Sequence, residues 1–175
     1  MTDPMDKVTE GKDLLGKVQN FVSGFVGYYD RERRRDADKL LRDTVADRYE
    51  EHWDRVSAIQ ARMIGAKMLE FVDDVEVAAI KLRTFVDRVR GAPRGYAGFF
   101  DAVRINQDEL ESLYQYDLGL LDFSDQVAEA VDGLEAAITD PDNMPAAIKN
   151  LVDVADQASR AYDRRSEAIL NEQES

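Results

Sequence analysis

The spacing of apolar residues between positions 37 and 63 constrains the fold of this chain more than any other feature. Core-type side chains recur there every three or four residues: Ala37, Leu41, Val45, Tyr49, His52, Val56, Ile59 and Met63. Such heptad-like spacing is typical of a helix that packs lengthwise against other helices. We expect Leu40, Trp53 and Ile64 to widen the stripe. The helix is predicted to run from about residue 30 to residue 64, a length of roughly 50 Å.

A second stripe with the same spacing follows the segment Gly65-Ala66-Lys67. Its members are Met68, Val72, Val75, Ala79, Leu82, Val86 and Val89. It stops where Gly91, Pro93 and Gly95 force a loop. Gly65 can be read as a turn or as a kink, and we favour a turn because ~60 residues of unbroken helix are rare outside coiled-coil rods. The two stripes then form an antiparallel hairpin.

The N-terminal segment has the pattern of an amphipathic helix. Its apolar residues, which lie at helical spacing, are Leu14, Leu15, Val18, Phe21, Val22, Phe25, Val26 and Tyr29. Glycine weakens a helix by ~1 kcal/mol relative to alanine. Because Gly24 and Gly27 fall in this segment, we expect the first helix to end or bend between Ser23 and Tyr29.

Two more helices complete the prediction. One begins near Asp108, with Asn106 or Asp108 as its cap, and the segment from Thr139 to Asn143 separates it from the last. No segment has the pattern of a β-strand. We therefore predict an all-α fold, an antiparallel bundle of about four long helices with heptad-like seams plus an N-terminal amphipathic helix. The 175 residues are expected to form a single domain (1–175), with loose ends at 1–8 and 171–175.

The residue inventory excludes several kinds of catalytic site. The chain has no cysteine and one histidine, so disulfides, thiolate zinc sites, iron–sulfur clusters and histidine-based di-iron sites are excluded. No glycine-rich phosphate loop or serine nucleophile elbow is present. We expect a protein that is not an enzyme and holds no cofactor or metal. A weaker alternative is a carboxylate-based metal or hydrolytic site around Asp101 and Asp117.

Two polar residues fall on apolar faces. Asp117 lies among leucines, where an unpaired charge is unfavourable, so we expect an arginine partner such as Arg83, Arg104 or one between Arg31 and Arg42. His52 lies on the first stripe, and we expect a core or boundary histidine with one hydrogen-bond partner.

The charge of the chain is −13, and its composition is rich in aspartate and poor in lysine. Aspartate supplies 23 of the 36 acidic residues, and arginine supplies 16 of the 23 basic ones. Such a composition resembles that of proteins from salt-loving archaea, which predicts a halophilic protein. High negative charge opposes binding to phosphate backbones, so we expect no nucleic-acid partner. Without an apolar run of ~20 residues or a signal peptide, the expected location is the cytoplasm.

A basic run begins the second helix. It contains Arg31, Arg33, Arg34, Arg35, Lys39 and Arg42, but acidic residues interleave it. A solvated helix face with ion pairs is one interpretation. The other is that the N-terminal amphipathic helix lies on a membrane with this run as its basic flank.

Two sequence blocks resemble segments of a group of small prokaryotic all-helical proteins that has no established activity. The first comprises Gly27-Tyr28-Tyr29-Asp30-Arg31-Glu32 and its continuation from Arg35 to Arg42. The second is Tyr96-Ala97-Gly98-Phe99-Phe100-Asp101-Ala102-Val103. The resemblance covers under a fifth of the chain and implies an all-helical fold and no catalytic residues. It also suggests that both blocks belong to one site or one contact.

From these features we expect a non-enzymatic bundle that acts through protein–protein contacts, as a scaffold or adaptor, with a protein partner or a second copy of itself. The candidate contact residues are Tyr28, Tyr29, Arg31, Arg34, Arg35, Tyr96, Phe99, Phe100 and Asp101. The alternative is a peripheral membrane protein of envelope stress or remodelling, located at the inner face of the membrane.

Overall fold

The fold was obtained as a computed structural model, which describes residues 4–91, 99–100 and 106–171, with side chains for 11–91, 99–100 and 106–169. Five long α-helices lie in these ranges: α1 (Pro4–Phe21), α2 (Arg34–Gly65), α3 (Val72–Arg90), α4 (Gln107–Ala136) and α5 (Met144–Asn171). Short 3-10 turns precede α2, α3 and α5 at Arg31–Arg33, Leu69–Phe71 and Pro141–Asn143. The described ranges contain no β-strand, so the predicted all-α fold is confirmed.

Two antiparallel hairpins, α2–α3 and α4–α5, pack side by side. Arg55 of α2 reaches Asp132 of α4 at 2.6 Å, and Lys81 of α3 reaches Asp156 of α5 at 2.8 Å. Since Arg48 and Asp125 approach earlier along the same pair of helices, α2 and α4 run in the same direction. The four helices thus enclose one apolar core, to which α1 adds its own buried side chains.

The heptad-like stripes form this core. Every member of the α2 stripe is at most 3% exposed apart from the half-buried His52. The prediction that Leu40 and Ile64 widen the stripe was wrong, because these side chains are 36% and 54% exposed. Each follows or precedes a stripe position by one residue, a rotation of about 100° that turns it toward solvent. Trp53 is half-buried and packs against the core as expected.

The α2–α3 connection is a turn, as predicted. Helix α2 ends at Gly65, and the amide of Met68 donates to the carbonyl of Met63 at 2.9 Å. Lys67 adopts the left-handed conformation with φ of 62°. This backbone pattern is a Schellman cap, in which the left-handed residue is usually glycine. The left-handed residue of the turn, Lys67, therefore lies two residues after Gly65, the glycine from which the turn was predicted.

Helix α1 ends at Phe21, slightly before the predicted interval, and packs against α4. A linker of residues 22–33 then returns to the start of α2. Gly24 and Gly27 both have positive φ, at 79° and 84°, which allows the linker to fold tightly against the bundle.

Helix α4 begins with a capping box formed by Asn106 and Glu109. Of the two predicted caps for α4, the structure therefore selects Asn106.

Candidate functional site

A fully buried arginine joins three helices near the end of the bundle where α2 begins. Arg165 of α5 donates from Nε to Oδ1 of Asp117 in α4 at 2.7 Å, and from Nη2 to Oδ1 of Asp38 in α2 at 2.6 Å. All three side chains are at most 4% exposed. A buried ion pair is favourable only when its charges are well matched and hydrogen-bonded, so this geometry ties α2, α4 and α5 into one arrangement.

The network extends to the linker and to α3. The Tyr28 hydroxyl donates to Oδ2 of Asp117 at 2.5 Å. Arg42 donates from Nε to Oδ2 of Asp38 at 2.8 Å and from Nη1 to the carbonyl of Val89, at the end of α3, at 3.0 Å. Each carboxylate thus accepts hydrogen bonds at both of its oxygens. The linker and four helices therefore meet in one connected set of charge-assisted hydrogen bonds.

An aromatic cluster surrounds Tyr28. Its backbone amide donates to the hydroxyl of Tyr114 at 2.8 Å, and its ring lies 5.9 Å from that of Phe100 and 5.3 Å from that of Phe25. The rings of Phe99 and Phe100 are 5.1 Å apart. The structure therefore brings the two sequence blocks together, through Tyr28 of the first and Phe100 of the second.

Burial separates the candidate contact residues into two groups. Tyr28, Arg34, Phe99 and Phe100 are at most 6% exposed and belong to the core. Arg34 donates from Nε to the carbonyl of Tyr28 at 2.6 Å. The exposed members are Tyr29, which is 45% exposed, Arg31 and Arg35. Both arginines line an open, mixed-charge cleft with Asp30 and Glu32. Tyr96 and Asp101 lie outside the described residues.

Asp117 has an arginine partner, as expected, but the predicted set did not include it. Arg165 occupies the position, whereas Arg83 lies over the ring of Trp53 at 5.6 Å and Arg104 falls outside the described residues. A signal for Arg165 exists in the sequence. With Ala158, Tyr162 and Ile169 it continues the apolar face of α5 at intervals of four, three and four. A basic residue at a core position of one helix predicts an acidic residue at a core position of another.

Burial dominates the electrostatics of the network. It raises the pKa of Asp117 to about 6, against the lowering effect of Arg165 and of the Tyr28 hydroxyl. Burial also raises the pKa of Tyr28, as does the adjacent Asp117, so the hydroxyl keeps its proton. Since Asp117 and Arg165 are 0% exposed, a solute does not reach them in this conformation. The network acts as an internal clamp between helices.

The raised pKa of Asp117 predicts a pH dependence of stability. The folded chain binds this proton more tightly than an unfolded aspartate, whose pKa is near 3.8. The contribution of Asp117 to the free energy of unfolding is therefore full below pH ~4 and is lost as pH rises through about 6, a change of about 3 kcal/mol. Urea unfolding of the native chain and of Asp117→Asn is compared across this pH range. As pH rises, the free energy of unfolding of the native chain should fall relative to that of Asp117→Asn. A pH-independent difference would contradict the assignment.

His52 is a boundary histidine with one hydrogen-bond partner, as predicted. Its Nε2 lies 3.1 Å from Oγ of Ser124, and burial lowers its pKa. Its Nδ1 has no partner among the described residues. Within those same ranges, no group of three or more histidine, aspartate or glutamate side chains is placed to hold a metal ion. Of the two residues of the predicted carboxylate site, Asp101 lies outside the described residues. Asp117 is fully buried and paired with Arg165.

Several apolar side chains are exposed on the α2–α3 hairpin. Leu69 is 64% exposed, Ile80 55%, Ile64 54% and Val77 47%. Val77 and Ile80 lie on the outer face of α3, opposite the residues that it buries in the core. We call this surface the α3 outer face and define it by Asp73, Val77, Ile80 and Thr84.

The apolar face of α1 is covered. Val18 is 0% exposed, Leu14, Leu15 and Phe21 are partly buried against the core, and the guanidinium of Arg48 lies 5.4 Å from the ring of Phe21. Among the helices of the described chain, none is both long and apolar enough to cross a membrane.

Comparison of the chain with protein-family models, with curated proteins and with solved structures finds no match. The resemblance of the two blocks to a group of prokaryotic helical proteins stays a hypothesis, and function must be inferred from the molecule itself.

Proposed function

We propose that this protein is a non-enzymatic helical bundle that acts through protein–protein contacts, as a scaffold or adaptor, and that the α3 outer face is its contact surface. The observation that carries the proposal is the exposure of Val77 and Ile80, which are 47% and 55% exposed at the centre of a helix face. Isolated exposed apolar residues are normal, but here two share one face, with Leu69 just over two turns before Val77, and contiguous apolar exposure marks interaction sites.

The flanks of this face support the same proposal. Asp73 and Asp74 precede the apolar pair, and Arg83 and Arg88 follow it. An apolar centre with a charged rim is the usual anatomy of a protein interface. In the first sequence block the exposed apolar side chains are Tyr29 and Leu40, at 45% and 36%, and the residues between them along the chain are mostly charged.

Photo-cross-linking tests the proposal. A photoreactive amino acid placed at position 80 should give discrete adducts in extract of the source cells, and Val77→Asp in the same chain should abolish them. Position 149, an exposed lysine on a different helix, α5, serves as the control. No adduct at position 80, or the same adducts at both positions, would count against the proposal.

The alternative proposal, a peripheral membrane protein, has less support. It requires α1 to leave the bundle, because α1 packs against α4 with Val18 fully buried. Flotation with anionic liposomes addresses it directly. If the chain floats and deletion of residues 1–29 abolishes flotation, the membrane function is preferred, and if nothing floats it fails.

We propose further that the acidic surface is an adaptation to high salt. The net charge is −13, so the acidic side chains repel one another at low ionic strength. Salt screens this repulsion, because the Debye length falls to ~3 Å at 1 M. The thermal midpoint, followed by circular dichroism, should rise between dilute buffer and molar KCl. A midpoint that stays constant or falls would refute the halophilic assignment.

A further inference from the structure

We propose, on the basis of the function proposed above, that a second copy of this chain covers the α3 outer face, and that two α3 helices pack antiparallel around Val77 and Ile80. The residues of the face recur at intervals of four, three and four, from Asp73 to Thr84. This is the spacing of a helix that presents a seam to another helix. Helix α3 therefore carries two seams, one buried in its own bundle and one exposed on the opposite side.

An antiparallel pair has a simple register on this face. A two-fold axis midway between Val77 and Ile80 places each Val77 against Ile80 of the other copy. The polar ends of the seam, Asp73 and Thr84, then also meet across the interface. The contact is self-complementary, as a symmetric dimer requires.

Charge selects the antiparallel direction. The first half of the exposed surface of α3 and its leading turn is acidic, and the second half is largely basic. The acidic residues are Glu70, Asp73, Asp74 and Glu76, and the basic ones are Lys81, Arg83, Arg88 and Arg90, with Asp87 as the exception. In the antiparallel register Glu76 flanks Arg83 of the second copy, and Asp74 flanks Lys81. In a parallel pair Glu76 would instead flank Lys81, but Arg83 would flank Arg88, so only half of the charge pairs would be attractive.

Glu76, Arg83 and Asp74 are exposed, whereas Lys81 is half-buried and already pairs with Asp156 of its own bundle at 2.8 Å. Arg83 stacks on Trp53 and has no carboxylate partner among the described residues, although the chain has a large excess of acids. Glu76 accepts from the neutral amide of Gln60 at 2.8 Å. The helix dipole alone favours acids at the start of a helix and bases at its end. It does not account for Val77 and Ile80 between them.

The dimer should be weak. A 19-residue helix is about 28 Å long, and one pair of such helices buries less than the ~1,600 Å² of a standard interface. Two copies of charge −13 also repel at long range, so association should strengthen as salt is raised from low to moderate concentration. We expect a transient dimer with a Kd on the order of micromolar or weaker.

Sedimentation velocity over a range of protein concentrations tests the inference. The native chain should shift from monomer to dimer, and Glu76→Arg or Arg83→Glu alone should weaken the dimer by about tenfold or more. The double variant Glu76→Arg/Arg83→Glu should restore it, because both pairs are regained with reversed polarity. Glu129→Arg, which makes the same charge change on the exposed side of α4, is the matched control and should leave the dimer intact.

Three results would overturn the inference: a monomer at every concentration, a dimer that Glu76→Arg leaves intact, or a double variant weaker than either single one. All substituted positions are exposed, and circular dichroism verifies that each variant keeps its helices. A monomer that still gives a position-80 adduct with a different protein would overturn the second copy as partner and leave the proposed function standing.

Discussion

Replacement of Arg165 by methionine should lower the free energy of unfolding by about 3–5 kcal/mol, the largest effect expected from any single substitution in the network. Methionine fills much of the volume but leaves Asp117 and Asp38 buried without their shared cation. An uncompensated buried charge is among the most destabilising changes that a fold can contain. Against a total stability of ~5–15 kcal/mol for a typical domain, this is a large fraction. Urea unfolding followed by circular dichroism measures it.

The neighbouring residue supplies the control. Arg164→Met removes an exposed arginine from the same turn of α5 and should change stability by less than about 0.5 kcal/mol. The double variant Asp117→Leu/Arg165→Met should recover much of the loss, since it removes a buried carboxylate together with the buried cation. Equal effects of Arg164→Met and Arg165→Met would show that the clamp contributes nothing.

Replacement of Gly27 by alanine should destabilise the fold by about 2–4 kcal/mol, the sum of a left-handed backbone term and an overpacking term. Gly27 has φ of 84°, and a Cβ atom there would lie 2.6 Å from the hydroxyl of Tyr114 and 2.9 Å from Cδ1 of Leu15. The same hydroxyl accepts the hydrogen bond from the amide of Tyr28. The substitution should therefore disturb the position of Tyr28 and its contact with Asp117 as well as the linker itself.

Gly133→Ala is the opposite case on the same molecule. Gly133 lies within α4, and a Cβ atom there would contact nothing within 4 Å. Alanine at this position should raise stability by about 0.5–1 kcal/mol. Thermal unfolding of the two variants beside the native chain compares them directly. A Gly27→Ala variant as stable as the native chain would contradict the packing of the linker.

The bundle was predictable because its information is local and periodic. The stripes that begin at Ala37 and Met68 each bury one face of a helix, and the turn after Gly65 and the cap at Asn106 depend on a few adjacent residues. The side-by-side order of the hairpins was not predictable in this way, since both stripes are compatible with several neighbours. The error at Leu40 and Ile64 has the same origin, because apolar character alone does not fix the edge of a face.

The network around Arg165 depends on contacts that are distant in sequence. Asp38, Asp117 and Arg165 come from three helices, and their joint position follows only from the packing of the whole bundle. The sequence indicated that Asp117 needs a cation. The spacing of Arg165 on the apolar face of α5 identifies it as a buried basic residue that could supply this cation. The α3 outer face was missed for another reason. Val77 and Ile80 lie off the predicted stripe, and their exposure is a property of the folded surface.

The central claim is that another protein surface covers the α3 outer face in the cell, and thiol labelling tests it most directly. The chain has no cysteine, so Ile80→Cys introduces a unique thiol, and Lys149→Cys gives a matched thiol on α5. The rate of maleimide labelling in intact source cells is compared with that of the dilute purified protein. The account predicts that the thiol at position 80 reacts at least about twofold more slowly in cells, relative to the thiol at position 149, which corresponds to coverage of half of the molecules. Equal relative rates in cells and in dilute solution would contradict it.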